Sequence, residues 1–275
     1  MSRLPNLIVI GAMKCGTGSL HYYLGLHPEI KMSRPKELDF FIEERNWNET
    51  IDWYKSHFSG EARIYGESSP NYTRHPFFAG VPERMHKIVP GAKLIYILRD
   101  PFNRMISHYI HECSMGRESR TFSEALKERD DNLYVSASMY YMQLRQYLEY
   151  FPLSSILIVT LEELHLHRFP TLQKVFRFLN VDDSFHSQDF SNIRNESSYR
   201  RRKSPVGSIL TRAVGKPVIE KLPIPLRRLL SIPFSRKVER PEFDEKLREE
   251  LIEYFKDDIN CLREVTGYKF EDWSL

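Results

Sequence analysis

The stretch "VIGAMKCGTGSL", Val9 to Leu20, constrains this chain more than any other. A buried-strand pattern ends in a glycine-rich turn, and a helical pattern starts directly after it. Gly11 and Gly16 stand at the spacing of the phosphate loop G-x-x-x-x-G-K-[ST]. Where that loop continues with lysine and a metal-binding hydroxyl, this one has Thr17 and Gly18, and its lysine, Lys14, lies inside the turn. A strand–turn–helix junction offers unpaired backbone N–H groups and the positive end of a helix dipole. Gly11, Gly16 and Gly18 permit a tight turn and close approach of an anion. Thr17 and Ser19 add hydroxyl donors, and Lys14 adds a full charge. Without the metal hydroxyl, the loop suits an anion held by lysine and amides. The plain alternative is a tight turn with no ligand.

The same alternation runs onward. Short apolar runs at 6–12 and 92–100, and in "SSILIVTLEEL" (154–164), read as buried strands. "EIKMS" and "RIYGES" read as further strands. Helical periodicity covers Thr17–Leu26, Asn48–Phe58, "GVPERMHKIVP", a stretch from Pro101, Tyr134–Phe151, "TLQKVFRFLNV" and about 242–266. Strands alternating with helices predict an α/β fold, P-loop-like and three-layered, with a central, mainly parallel sheet flanked by helices. The 275 residues suit one domain, 1–275, closed by the last of those helices. Residues 204–240 break the pattern with five prolines and read as an irregular basic insertion or lid. Residues 194–240 hold thirteen Lys/Arg against three Glu, a local charge of +10 in a chain whose total is +3. That segment must face an anionic ligand, a membrane surface or water.

Three widely spaced cysteines, Cys15, Cys113 and Cys261, argue against a disulfide framework and for a reducing compartment. The N-terminus reads as a first strand and not as a secretory signal, so a cytoplasmic location is expected. His108 and His111 with Glu112 have helical spacing, but a third metal ligand at a recognisable spacing is missing.

Two more motifs carry chemistry. In "SRPKELDFF", Glu37 follows Lys36 and precedes an apolar cluster. A carboxylate so placed can be tuned to abstract a proton, or it is a solvated loop charge. In "ILRDPFNRMISHY", Arg99 ends a buried strand, at the edge where open α/β sheets bind ligands. Ser107 follows two helical turns later, so guanidinium and hydroxyl can converge on one phosphate. A salt bridge from Arg99 to Asp100 is the alternative.

Together K-x-G-T, K-E-x-x-F-F and R-D-P-x-x-R-x-x-S-x-Y resemble the sulfotransferases that use 3′-phosphoadenosine 5′-phosphosulfate (PAPS). The likeness is strongest to their heparan-sulfate-type carbohydrate branch and its bacterial relatives. The resemblance implies that Lys14, Cys15, Gly16, Thr17, Gly18 and Ser19 hold the 5′-phosphosulfate, with Lys14 also catalytic. It implies that Arg99 and Ser107 hold the 3′-phosphate and that Glu37 is the general base. PAPS would be the co-substrate, adenosine 3′,5′-bisphosphate the product, and no metal would be required. The acceptor would be a small molecule, an oligosaccharide or a lipid-linked glycan, with a peripheral membrane contact and no nucleic-acid partner. The family's late 3′-phosphate loop has its best counterpart in "SSYRRRKS", at Arg201 and Arg202. Relatives often carry E-K-[ST]-P-x-Y where this chain has "GESSPNY", which puts Ser68 in place of lysine. The competing functions are a P-loop kinase and a non-enzymatic binder of anionic surfaces through residues 194–240.

Overall fold

The computed structural model describes residues 3–130, 132–191 and 239–275, with two short strands at 201–203 and 235–237. Five strands form the central sheet: β1 (Leu7–Gly11), β2 (Ile30–Met32), β3 (Ile64–Ser68), β4 (Lys93–Leu98) and β5 (Ile156–Thr160). Their order is β2-β3-β1-β4-β5 and every pairing is parallel. The expected mainly parallel sheet is thus wholly parallel. Leu7, Ile8, Val9 and Ile10 are fully buried, as continuous apolar strands covered on both faces must be. Each such side chain stabilises the fold by about 1.5–3 kcal/mol.

Helices α1 (Thr17–Leu24), α2 (Ile51–Ser56), α3 (Val81–Ile88) and α4 (Pro101–Ser114) follow strands or loops in turn. Thr50 starts α2 by accepting the Trp53 N–H, so this helix is shorter than its periodicity suggests. Asp100 caps α4 with one carboxylate oxygen on the Asn103 N–H, 2.7 Å. Its other oxygen accepts the Ser274 N–H, 2.6 Å, from the far end of the chain. Asp100 is therefore occupied by backbone, and Arg99 has no ion pair among the described residues.

The long helix predicted over Tyr134–Phe151 is two helices. After α5 (Phe122–Ala125) come α6 (Leu133–Ser136) and α7 (Tyr140–Leu148), with Met139 between them outside helical geometry. Two side chains explain the break. The buried Ser138 hydroxyl accepts from Arg104 Nε, 2.6 Å, and so belongs to the core. Asp258 accepts the backbone N–H groups of Tyr141 and Met142, 2.9 and 2.8 Å, which starts α7 afresh. Periodicity continues through the break because both helices bury the same kind of face.

Then follow α8 (Leu161–Leu166), α9 (Arg168–Leu179) and the closing helix α10 (Glu245–Thr266), capped by Asp244. Strands β6 (Arg201–Lys203) and β7 (Ser235–Lys237) pair antiparallel, and β6 lies beside α4. Residues 204–234 of the expected lid lie outside the described residues. No helix among the described residues is long and apolar enough to cross a membrane.

Because Asp258 substitutes for a local N-cap, Asp258→Ala should destabilise the chain by about 1–2 kcal/mol. Urea unfolding measures this, and an unchanged midpoint would remove the capping role.

Candidate active site

Three strand ends assemble the site. β1 lies between β3 and β4, so the turns after all three open on one edge of the sheet. The turn after β1 holds Lys14 at φ 73° and Gly16 at φ 93°, both left-handed. The backbone angle favours glycine at Gly16, and a side chain there would also displace Leu161, whose Cδ1 would lie 2.6 Å from the added Cβ. Gly11 is equally confined, since a Cβ there would lie 1.9 Å from Thr73 Oγ1. α1 begins at Thr17, and helix geometry leaves its first N–H groups, including those of Thr17 and Gly18, without helical acceptors. Thr17 and Ser19 are buried, while Lys14, Gly16 and Gly18 are half-buried. Cys15 is fully buried with Sγ 3.6 Å from the Tyr140 hydroxyl, and burial pushes its thiol up to about 11. Its side chain is a core group, so only its backbone can serve the loop.

The loop sits in a positive neighbourhood. Arg104 of α4 is fully buried, and its guanidinium donates to Ser138 Oγ, the Tyr134 carbonyl and the Met13 carbonyl. It has no carboxylate partner among the described residues. His108 lies 3.5 Å from it, and burial, then Arg104, Arg74 and Lys14, hold that imidazole neutral. A buried cation without a counter-ion among the described residues, next to the helix start at Thr17 and Gly18, favours an anion in the loop.

Glu37 reaches this loop through Lys36. Lys36 Nζ lies 2.7 Å from Glu37 Oε1 and 3.4 Å from Thr17 Oγ1. The Glu37 side chain is 42% exposed, so the expected apolar wall does not enclose it. Instead Phe40 and Phe41, later in the motif, are buried behind it. The structure therefore joins Glu37, Lys36 and the turn at Thr17. Arg99 stands at the C-terminal end of β4, half-buried, with its carbonyl accepting from the Tyr140 hydroxyl at 2.7 Å. Ser107 is buried in the second turn of α4. Arg240 donates to Asn103, one turn before Ser107 on the same helix face, 2.6 Å. The backbone of Arg201 and Arg202 lies on β6, against that helix.

His108 and His111 do not form a metal site with Glu112. Glu112 is gripped by Arg117 at 2.6 and 2.7 Å, and the histidine nitrogens stand 3.8 and 3.9 Å away. No metal-binding cluster of His, Cys, Asp or Glu exists among the described residues.

Sequence reasoning singled out Ser68 only as a replacement for lysine and passed over its partner His21 and its neighbour Glu67. Ser68 is fully buried and bonds His21 Nδ1 at 2.9 Å. Burial, reinforced by Lys36, brings that imidazole down to about 4. Beside Ser68, Glu67 is also fully buried and accepts from three hydroxyls: Tyr54 at 2.6 Å, Ser69 at 2.8 Å and Tyr72 at 2.9 Å. Burial pushes its carboxyl up to about 7 although the three donors pull it down. The available signal was an acid in an otherwise apolar strand, "IYGES".

The chain belongs to the sulfotransferase domain family, whose model matches residues 4–220. Among curated proteins it is similar to human heparan sulfate glucosamine 3-O-sulfotransferase 5, 33% identical over 193 residues. That match covers 66% of this chain and 55% of the relative, so the chain spans about half the length of that protein. Among solved structures it shares its fold with a sulfotransferase from Alicyclobacillus acidocaldarius, TM-score 0.72 and 24% identity, with both chains fully covered. Mouse sulfotransferase SULT7A1 complexed with PAP has the same fold at TM-score 0.53 and 16% identity, covering 96% of this chain and 90% of that one.

Glu67 yields a pH prediction. Its carboxyl stands at about 7 when folded against an ordinary 4.5, so the folded chain keeps a proton that the unfolded chain releases. Its contribution is fully present below the lower value and is lost as pH rises through the higher one. Glu67→Gln removes this loss. The melting temperature of the variant relative to wild type should therefore climb between about pH 5 and 8. A flat difference across that range would refute the elevated carboxyl.

Proposed function

We propose that the chain transfers the sulfuryl group of PAPS to a hydroxyl or amine of a carbohydrate acceptor, an oligosaccharide or glycolipid. The observation that carries this is Lys36 between Glu37 Oε1 and Thr17 Oγ1, which brings a proton acceptor to an anion loop. The name of the curated relative, a glucosamine sulfotransferase of heparan sulfate, supports a sugar acceptor.

The residues fit the donor. Lys14 and the backbone and hydroxyl groups from Gly16 to Ser19 would receive the 5′-phosphosulfate. Arg99 and Ser107, at the end of β4 and in α4, would receive the 3′-phosphate, with the backbone of Arg201 and Arg202 beside the same helix. Glu37 takes the proton from the acceptor as its oxygen or nitrogen bonds to sulfur. The bond from sulfur to the bisphosphate oxygen breaks, and Lys14 offsets the charge left there. Positioning and electrostatics supply most of the acceleration, as in phosphoryl transfer. Gly18, in place of the metal-binding hydroxyl, disfavours the kinase alternative.

Incubation with radiolabelled sulfate donor and heparan-type oligosaccharides tests the reaction. Labelled sugar is expected, and its absence across hydroxyl and amine acceptors would sink the proposal. Glu37→Gln should lower turnover by about 10²–10⁴-fold while sparing nucleotide affinity. Arg99→Ala should weaken adenosine 3′,5′-bisphosphate binding by about ten- to a hundredfold, the loss of a charged hydrogen bond. Calorimetry in EDTA measures this, and metal-dependent binding would favour the kinase.

A further inference from the structure

The Glu37 side chain is exposed, yet the backbone on both sides of it is fastened to β3. The Lys36 carbonyl accepts from the Ser68 N–H at 3.2 Å. Beyond Glu37, the N–H groups of Leu38 and Asp39 both donate to one atom, Ser69 Oγ, at 3.0 and 3.1 Å. A serine hydroxyl has two lone pairs and one proton. With both lone pairs filled by backbone donors, its proton must go elsewhere, and it goes to Glu67 Oε2 at 2.8 Å. Glu67 is in turn fixed by the hydroxyls of Tyr54 and Tyr72 on Oε1. Phe40 stacks on Tyr54 with ring centres 4.2 Å apart and planes 7° apart. Phe41 packs against both tyrosines. The aromatic pair that ends K-E-x-x-F-F thus walls the cage around Glu67.

We infer that Ser69, oriented by the buried Glu67 cage, is the positioning residue that aims Glu37 at the acceptor. This rests on Glu37 being the base. Ser69 is fully buried and touches neither donor nor acceptor, so it acts only through the Glu37 backbone. Its two accepted bonds fix the two peptide groups that follow Glu37. The tyrosines come from α2 and from the turn after β3, so the cage ties three segments to one orientation. Misplacing a reacting group by about 1 Å can cost a hundredfold in rate, which makes such fastening consequential.

A mutant cycle with hydrogen exchange tests this in the full chain. Ser69→Ala should lower kcat for sulfuryl transfer to heparan-type oligosaccharide by about ten- to a hundredfold. The KM for PAPS and the affinity for adenosine 3′,5′-bisphosphate should stay within about twofold, as aim and not donor binding is lost. In a Glu37→Gln background the same Ser69→Ala change should cost less than about twofold, because no base remains to be aimed. Exchange of the Leu38 and Asp39 amides should accelerate while the α1 amides keep their protection. An equal loss in both backgrounds, which a merely structural serine would give, overturns the inference, as does unaltered exchange at Leu38 and Asp39. Wild-type turnover in Glu37→Gln alone, or no transfer by the wild-type chain, instead defeats the base assignment and the inference with it.

Discussion

Strand β1 pairs in parallel with β3 on one side and β4 on the other, and the rest of the site depends on that placement. Parallel neighbours end on the same edge of a sheet. The loop with Lys14, the segment carrying Ser68 and Ser69, and the β4 end carrying Arg99 therefore meet without any long excursion of the chain. Confinement reinforces topology. Gly11 is pressed by Thr73 and Gly16 by Leu161, so the turn after β1 is shaped by its neighbours on either side. A turn packed this way keeps its amides in place before any ligand arrives, which reduces the ordering cost of binding.

Electrostatics on the two sides of the cleft differ in kind. Around the loop, Arg104 is buried with no acid partner among the described residues, and His108 is held neutral beside it. Under the Glu37 segment, Glu67 is buried with no basic partner among the described residues and accepts from three hydroxyls. Each buried ionisable group is costly by itself, and each is held by dense hydrogen bonding. The cleft thus has a cationic floor beside the loop and an acidic buttress behind Glu37.

Much of the fold was legible in the sequence because apolar runs and turn residues coincide with strand ends. β1, α1, β4 and α9 all follow their periodicity. The helix break at Ser138–Met139 was not legible, because its cause is a carboxylate 120 positions later, Asp258, together with the buried Arg104. At the site, Lys14 and Gly16 announce themselves by spacing, and so does the arginine at the end of β4. Glu37 was recognisable as a motif member, but its tie to Thr17 through Lys36 is a fact of three dimensions. The roles of Glu67 and Ser69 were not legible for a related reason. An acid in an apolar strand stands out, but its meaning comes from donors on other segments, Tyr54 above all.

The bond from the Ser274 N–H to Asp100 has a consequence for how the chain acquires its site during synthesis. Asp100 begins the helix that bears Ser107, and Asp258 begins the helix whose Tyr140 reaches the Arg99 carbonyl. Both contacts come from residues more than 100 positions further along the chain than the groups they fix. The turn after β1 can therefore take its shape while the β4 side of the cleft still waits for Asp258 and Ser274.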